Sequence, residues 1–173
     1  MSDQPSSQAT NLNPRAGQQS NALNEENWEA RKLPYRDDVS LLGFLQLCAD
    51  RRFHRELQDR FQLDAGLVSP DDYWIHADAG GTPKMECQRT APDYCYYDKD
   101  VRSMGWSAHG AVCGGFGPNV PDEVIAQALL VVARRKMEEY PRARHFVYFA
   151  TIRKEQGTEE TVVYSMTPGK GSD

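Results

Sequence analysis

Val39-Ser-Leu-Leu-Gly-Phe-Leu-Gln-Leu47, followed at once by Cys48-Ala-Asp50-Arg-Arg52, passes from an apolar run of strand length to a cluster of chemically capable side chains. Such a run predicts a buried strand that opens into a polar loop. Directly after it, Phe53, Leu57 and Phe61 recur every fourth residue among charges, which is one face of a helix. The opening unit therefore reads strand, loop, helix.

The same order returns downstream. Pro70-Asp-Asp marks a turn, Tyr73-Trp-Ile75 a short strand, and Ala77-Asp-Ala-Gly-Gly-Thr-Pro83 a glycine-containing loop that lets the backbone approach other groups closely. Val101 to Ser107 can form a third strand, which runs into His109-Gly-Ala-Val-Cys113-Gly-Gly-Phe-Gly-Pro118. Pro121-Asp-Glu then starts a helix, because proline suits the first turn and acidic residues suit its positive end. Its apolar face extends from Val124 to Met137, and it stops before Pro141. His145 to Ile152 and Thr161 to Met166 are β-branched and aromatic and read as two further strands. Residues 84–100 carry no clear pattern beyond the packing aromatics Tyr94, Tyr96 and Tyr97. Strands alternating with helices, each followed by a polar motif, predict a single α/β domain with a mostly parallel central sheet flanked by helices and a site at the strands' carboxyl ends.

At 173 residues, 39% of them hydrophobic, the chain can bury one proper core and is short for two. Residues 1 to about 25 are dominated by Ser, Gln, Asn, Pro and Ala; they read as a disordered polar tail, with a protein-binding arm as the alternative, and residues 26–173 as the domain. Trp28 is the candidate anchor of a short helix after the tail. A net charge of −5 and no Lys/Arg-rich run argue against nucleic acid and membrane surfaces as partners. No apolar segment approaches bilayer length and no secretory signal is visible, so the chain reads as soluble and cytoplasmic. In a reducing compartment Cys48, Cys87, Cys95 and Cys113 are more naturally free thiols or metal ligands than disulfides.

Cys48-x-Asp50-x-Arg52 after one strand, Ala79-Gly80-Gly81 after the next and His109-x-x-x-Cys113-Gly114 after the third together resemble, in that order, the β-carbonic anhydrases. That family's pattern is Cys-x-Asp-Ser-Arg, Asn-Ala-Gly and His-x-x-Cys-Gly. The chain departs from it at Arg51, at Asp78, and in one extra residue between His109 and Cys113, which requires that loop to bulge. The resemblance implies a Zn2+ site of Cys48, His109 and Cys113, an Asp50–Arg52 catalytic dyad, and a small substrate pocket shaped around Gly80 and Gly81. It also implies hydration of CO2 to bicarbonate by zinc-bound hydroxide, and a homodimer or larger homo-oligomer.

The chemistry is reasonable in itself. Zinc takes thiolate and imidazole readily, and three protein ligands leave a fourth position for water. Arg52 can hold Asp50 ionised as an acceptor beside the metal, and His54 and His76 are candidate proton shuttles. Three alternatives stand beside this reading: hydrolysis of carbon disulfide or carbonyl sulfide on the same scaffold, a non-catalytic relative serving binding or assembly, and a closed zinc site that recruits Cys87 or Cys95.

Overall fold

The computed structural model describes residues 40–87 and 90–166. The polar tail and Trp28 lie outside them. Five strands form one sheet: β1 (Gly43–Cys48), β2 (Tyr73–Asp78), β3 (Ser103–His109), β4 (Arg144–Glu155) and β5 (Thr158–Ser165), in the order β2-β1-β3-β4-β5. β1 pairs in parallel with both β2 and β3, and β3 in parallel with β4; only β5 is antiparallel. The expected α/β domain with a mostly parallel sheet is what forms.

Each parallel step needs a crossover, and helices supply the longest of them. α1 (His54–Ala65) connects β1 to β2, the short α2 (Thr90–Asp93) and a π-turn at Tyr94–Asp98 lie between β2 and β3, and α3 (Asp122–Glu139) leads from β3 to β4. α1 ends on Gly66 in the left-handed region (φ 73°), where a residue lacking Cβ stops a helix at little cost. β4 and β5 need only the two residues Gln156 and Gly157, both at positive φ (50° and 84°), the backbone of a tight right-twisted hairpin.

Alternation along the central strands divides the core into two layers. Phe44, Met104, Trp106, Ala108, Val147 and Phe149 pack with Ile125, Leu129 and Ala133 of α3. Leu45, Leu47, Tyr148 and Ala150 pack on the opposite face with Leu57 and Phe61 of α1 and with Phe53 just before it. All six residues of β1 are buried, as a strand with helices on both sides requires. Gly105 lets α1 approach the sheet: a Cβ there would lie 2.6 Å from Leu45 and 2.9 Å from Phe61.

The described residues of 84–100, a stretch with no legible period, fold as a 3-10 turn over Thr82–Cys87 and as α2 and the π-turn. Their aromatics do pack. Tyr96 meets Tyr97 at 4.9 Å and Tyr140 at 5.0 Å, and Tyr94 meets Trp74 at 6.0 Å. Among the described residues no helix is long and apolar enough to cross a membrane.

Phe61 is fully buried between Tyr73 and Phe146. Phe61→Ala should cost about 3–5 kcal/mol of unfolding free energy in a denaturant titration, since a core this tightly packed refills a cavity only partly. Val68→Ala, at a fully exposed side chain, should stay within about 0.5 kcal/mol.

Candidate metal centre

Parallel pairing sends the carboxyl ends of β1, β2 and β3 to one edge of the sheet, and the polar motifs gather there. β1 ends on Cys48, which pairs in register with Asp78 at the end of β2, and β3 ends on His109. Cys48 and His109 therefore belong to the strands themselves, one or two residues further along than the periodicity places the strand ends. Cys113 arrives from the loop after β3. The Sγ atoms of Cys48 and Cys113 are 3.7 Å apart, and the possible ligand atoms of Cys48, His109 and Cys113 all lie within 4.8 Å of one another. All three residues are at least 96% buried.

The donor set fits a metal ion. Nδ1 of His109 lies 2.7 Å from the Gly110 carbonyl, which can only accept, so Nδ1 carries the hydrogen and Nε2 presents its lone pair. That buried Nε2 has no hydrogen-bond partner, an expensive arrangement unless something binds there. Phe53 stacks on the imidazole at 4.8 Å and holds its plane. Two sulfurs and one imidazole nitrogen suit zinc, and a set of three leaves one position open.

The environment also ionises the donors. Burial opposes loss of the Cys48 proton, but His109 and the backbone N–H groups of Asp50 and Gly80 outweigh it and bring the thiol down to about 7. Burial likewise opposes a charge on His109, and Cys48 beside it reverses the balance and raises its pKa. Cys113 goes the other way, raised by burial and by the negative charge of Cys48. A divalent cation would remove that mutual repulsion between the sulfurs.

Asp50 and Arg52 form the close pair expected of them. Arg52 Nε and Nη2 reach Asp50 Oδ2 at 2.9 and 2.6 Å, and the Arg52 backbone N–H donates to Oδ1 at 3.1 Å. This grip holds the Asp50 carboxyl at about 2. Oδ2 also stands 3.7 Å from His109 Nε2, so the carboxylate faces the donor cluster. Gly80 donates its N–H to Cys48 Sγ at 3.3 Å, and Gly81, at φ 63°, fits against the Ser107 carbonyl, where a Cβ would come to 2.6 Å. His54 is committed to the Cys48 carbonyl at 2.6 Å and His76 to the Gln46 side chain at 2.9 Å. Cys95 is buried in the same apolar cluster but does not belong to the donor group, and its thiol is pushed up to about 12 by desolvation.

The extra residue in His109-x-x-x-Cys113 is absorbed as the sequence requires, by a bulge. Ala111 and Val112 both adopt positive φ, 49° and 64°, at a cost of about 1–2 kcal/mol each. Arg52 Nη2 donates to both of their carbonyls, at 3.2 and 3.1 Å, so the arginine serves the loop as well as Asp50. Sequence reasoning missed Phe53 as the ring on His109, and it read Asp122 only as an acidic helix start. In the structure the Asp122 carboxylate also accepts from the Ala111 N–H. An acidic residue at a helix start has no sequence signature for that second contact.

No protein-family model matches the chain, and no curated protein matches it in sequence. Solved structures of similar shape include the β-carbonic anhydrase CafD of Aspergillus fumigatus, with a TM-score of 0.40 and 10% identity over 79% of this chain and 95% of that one. Another is the β-carbonic anhydrase CafA of the same fungus, with a TM-score of 0.43 and 12% identity over 76% of this chain and 78% of that one. A likeness this distant carries no argument about activity.

Metal-free protein dialysed against Zn2+ should take up one ion per chain. Cys48→Ser and His109→Ala should weaken that binding by more than the roughly 10–100-fold that loss of an outer-shell partner costs, whereas Cys95→Ala should leave it unchanged.

Proposed function

We propose that the chain holds a zinc ion through Cys48, His109 and Cys113 and catalyses the reversible hydration of CO2 to bicarbonate. The observation that carries this reading is the convergence of three buried donors, from two strand ends and a loop, beside a carboxylate already locked to an arginine. A zinc ion with three protein ligands supplies a Lewis acid that makes bound water acidic near neutral pH.

The chain's own groups have definable parts in such a reaction. Asp50, held ionised by Arg52, is an acceptor without a proton to give, and it accepts a hydrogen bond from, and so orients, a water or bicarbonate hydroxyl at the open side of the cluster. Arg52 keeps the carboxylate from collapsing onto the donors, since both of its oxygens are engaged. The Gly80 N–H favours the thiolate form of Cys48. Gly80 and Gly81 pack closely on Lys84 and on the Ser107 carbonyl, a small substrate pocket shaped around them is part of the same proposal, and Phe53 covers the imidazole against bulk water. A homodimer, which the sequence resemblance implies, and a cytoplasmic setting, expected from the sequence's own character, belong to the same proposal.

The rival of a non-catalytic relative asks for Cys113 to point away from His109. The 3.7 Å separation of the two sulfurs, inside a donor cluster that includes His109, supports the catalytic reading instead.

Stopped-flow CO2 hydration by zinc-loaded protein, at neutral and mildly alkaline pH, should show turnover that Cys48→Ala abolishes. Asp50→Asn should keep its zinc and lose roughly 10–100-fold in kcat/KM. Full zinc occupancy without CO2 hydration at either pH would reject the proposal, and hydrolysis of carbonyl sulfide or carbon disulfide by the same preparation would then identify the sibling chemistry.

A further inference from the structure

Three residues separate His109 from Cys113, and the only apolar contact of the segment between them is the small Ala111 methyl, packed against the core beside α1. Val112 is well exposed, at 59%, and Gly110 has no side chain. Both Ala111 and Val112 sit in the left-handed region, where a β-branched residue such as Val112 is especially out of place. Strained conformations of this kind persist only where the surroundings over-determine them. What over-determines this one is a set of polar contacts from two directions.

Arg52 takes the two carbonyls from one side. From the other, Asp122 at the start of α3 accepts the Ala111 N–H on Oδ1 at 3.0 Å and the Thr151 hydroxyl of β4 on Oδ2 at 2.5 Å. The carboxylate is thereby tied to the helix by its own backbone, to the strand by Thr151 and to the loop by Ala111. Gly110 completes the fit. Its N–H donates to Ala150 of β4 at 2.8 Å, and a Cβ at this position would collide with the Asp122 carboxylate.

We propose that Asp122, braced by Thr151, is a positioning residue that sets the bulge between His109 and Cys113 and so keeps the Cys113 sulfur in the metal centre. This rests on the zinc reading above and extends it to a residue that never touches the metal. The extra residue makes the third ligand dependent on a clamp from α3 and β4, which joins the metal centre to the far crossover of the sheet. Asp122 acts through its acceptor oxygens and not through its charge on the helix, which gives the proposal a distinctive signature. Asparagine retains an oxygen for Ala111 and offers an N–H to the Thr151 hydroxyl, while losing the negative charge at the helix start.

The test uses the full-length chain freed of metal and titrated with Co2+, whose thiolate-to-metal absorption grows with the number of coordinating sulfurs. Wild type should show the intensity of two thiolates, and Cys113→Ser that of one. Asp122→Ala should fall to the Cys113→Ser level and lose roughly 10–100-fold in Zn2+ affinity, whereas Asp122→Asn should keep the two-thiolate band. A two-thiolate band in Asp122→Ala, or equal loss in Asp122→Ala and Asp122→Asn, would overturn the proposal. If Asp122→Ala does not fold, Thr151→Val takes its place, with the same loss expected and an unchanged band counting against the idea. A wild-type band of fewer than two thiolates would instead reject the Cys48–His109–Cys113 centre itself, and is thus separable from failure of the clamp.

Discussion

Parallel pairing of β1 with β2 on one side and β3 on the other is the constraint from which the rest follows. It aligns three strands so that all run out at the same edge, and it does so with Cys48 opposite Asp78 and with His109 one strand away. Antiparallel neighbours would have sent those motifs to opposite ends of the sheet. The helices that make the parallel crossovers possible also bury both faces of β1, so its terminal cysteine sits in a dry environment.

Dryness at that edge is offset by polarity supplied in fixed places. Two thiols and an imidazole crowded together would ordinarily stay neutral. Here backbone N–H groups and His109 draw Cys48 toward the thiolate, while Asp50 is kept ionised by the fork of Arg52. The same arginine ties down the loop that carries Cys113, so one side chain couples the anionic acceptor to the backbone of a donor. A lysine would keep the charge but lack the planar Nε and Nη2 pair that grips the carboxylate.

The fold was legible in the sequence wherever period and punctuation agreed. The unbroken apolar run before Cys48, the four-residue recurrence through Phe61 and the proline-acidic start of α3 each reflect a physical need that the folded chain meets. The ordered motifs also placed Cys48, Asp50, Arg52 and His109 at the carboxyl edge. What escaped was local and non-periodic. The π-turn at Tyr94–Asp98 is set by where its aromatics pack and has no repeat to announce it. The ends of β2 and β3 moved by two or three residues because ladder pairing continued through His76–Asp78 and into His109 after the apolar residues stopped. The spacing from His109 to Cys113 demanded a bulge, but nothing in Ala111-Val112 announces left-handed backbone, since neither is a residue that favours it. That conformation is imposed by partners 59 or more positions away in the case of Arg52, and by α3 and β4 in the case of Asp122.

The hairpin of β4 and β5 closes through two residues, whereas the sulfurs of Cys48 and Cys113 meet across 65 positions of chain. Hairpins of that kind form within about 1–10 μs, while non-local parallel pairing must first pay for closing long loops. The edge farthest from Cys48 can thus be in place while its two thiols are still apart and wet. Until the long crossovers close, neither cysteine has a packed layer to shield it, and completion of the sheet buries both.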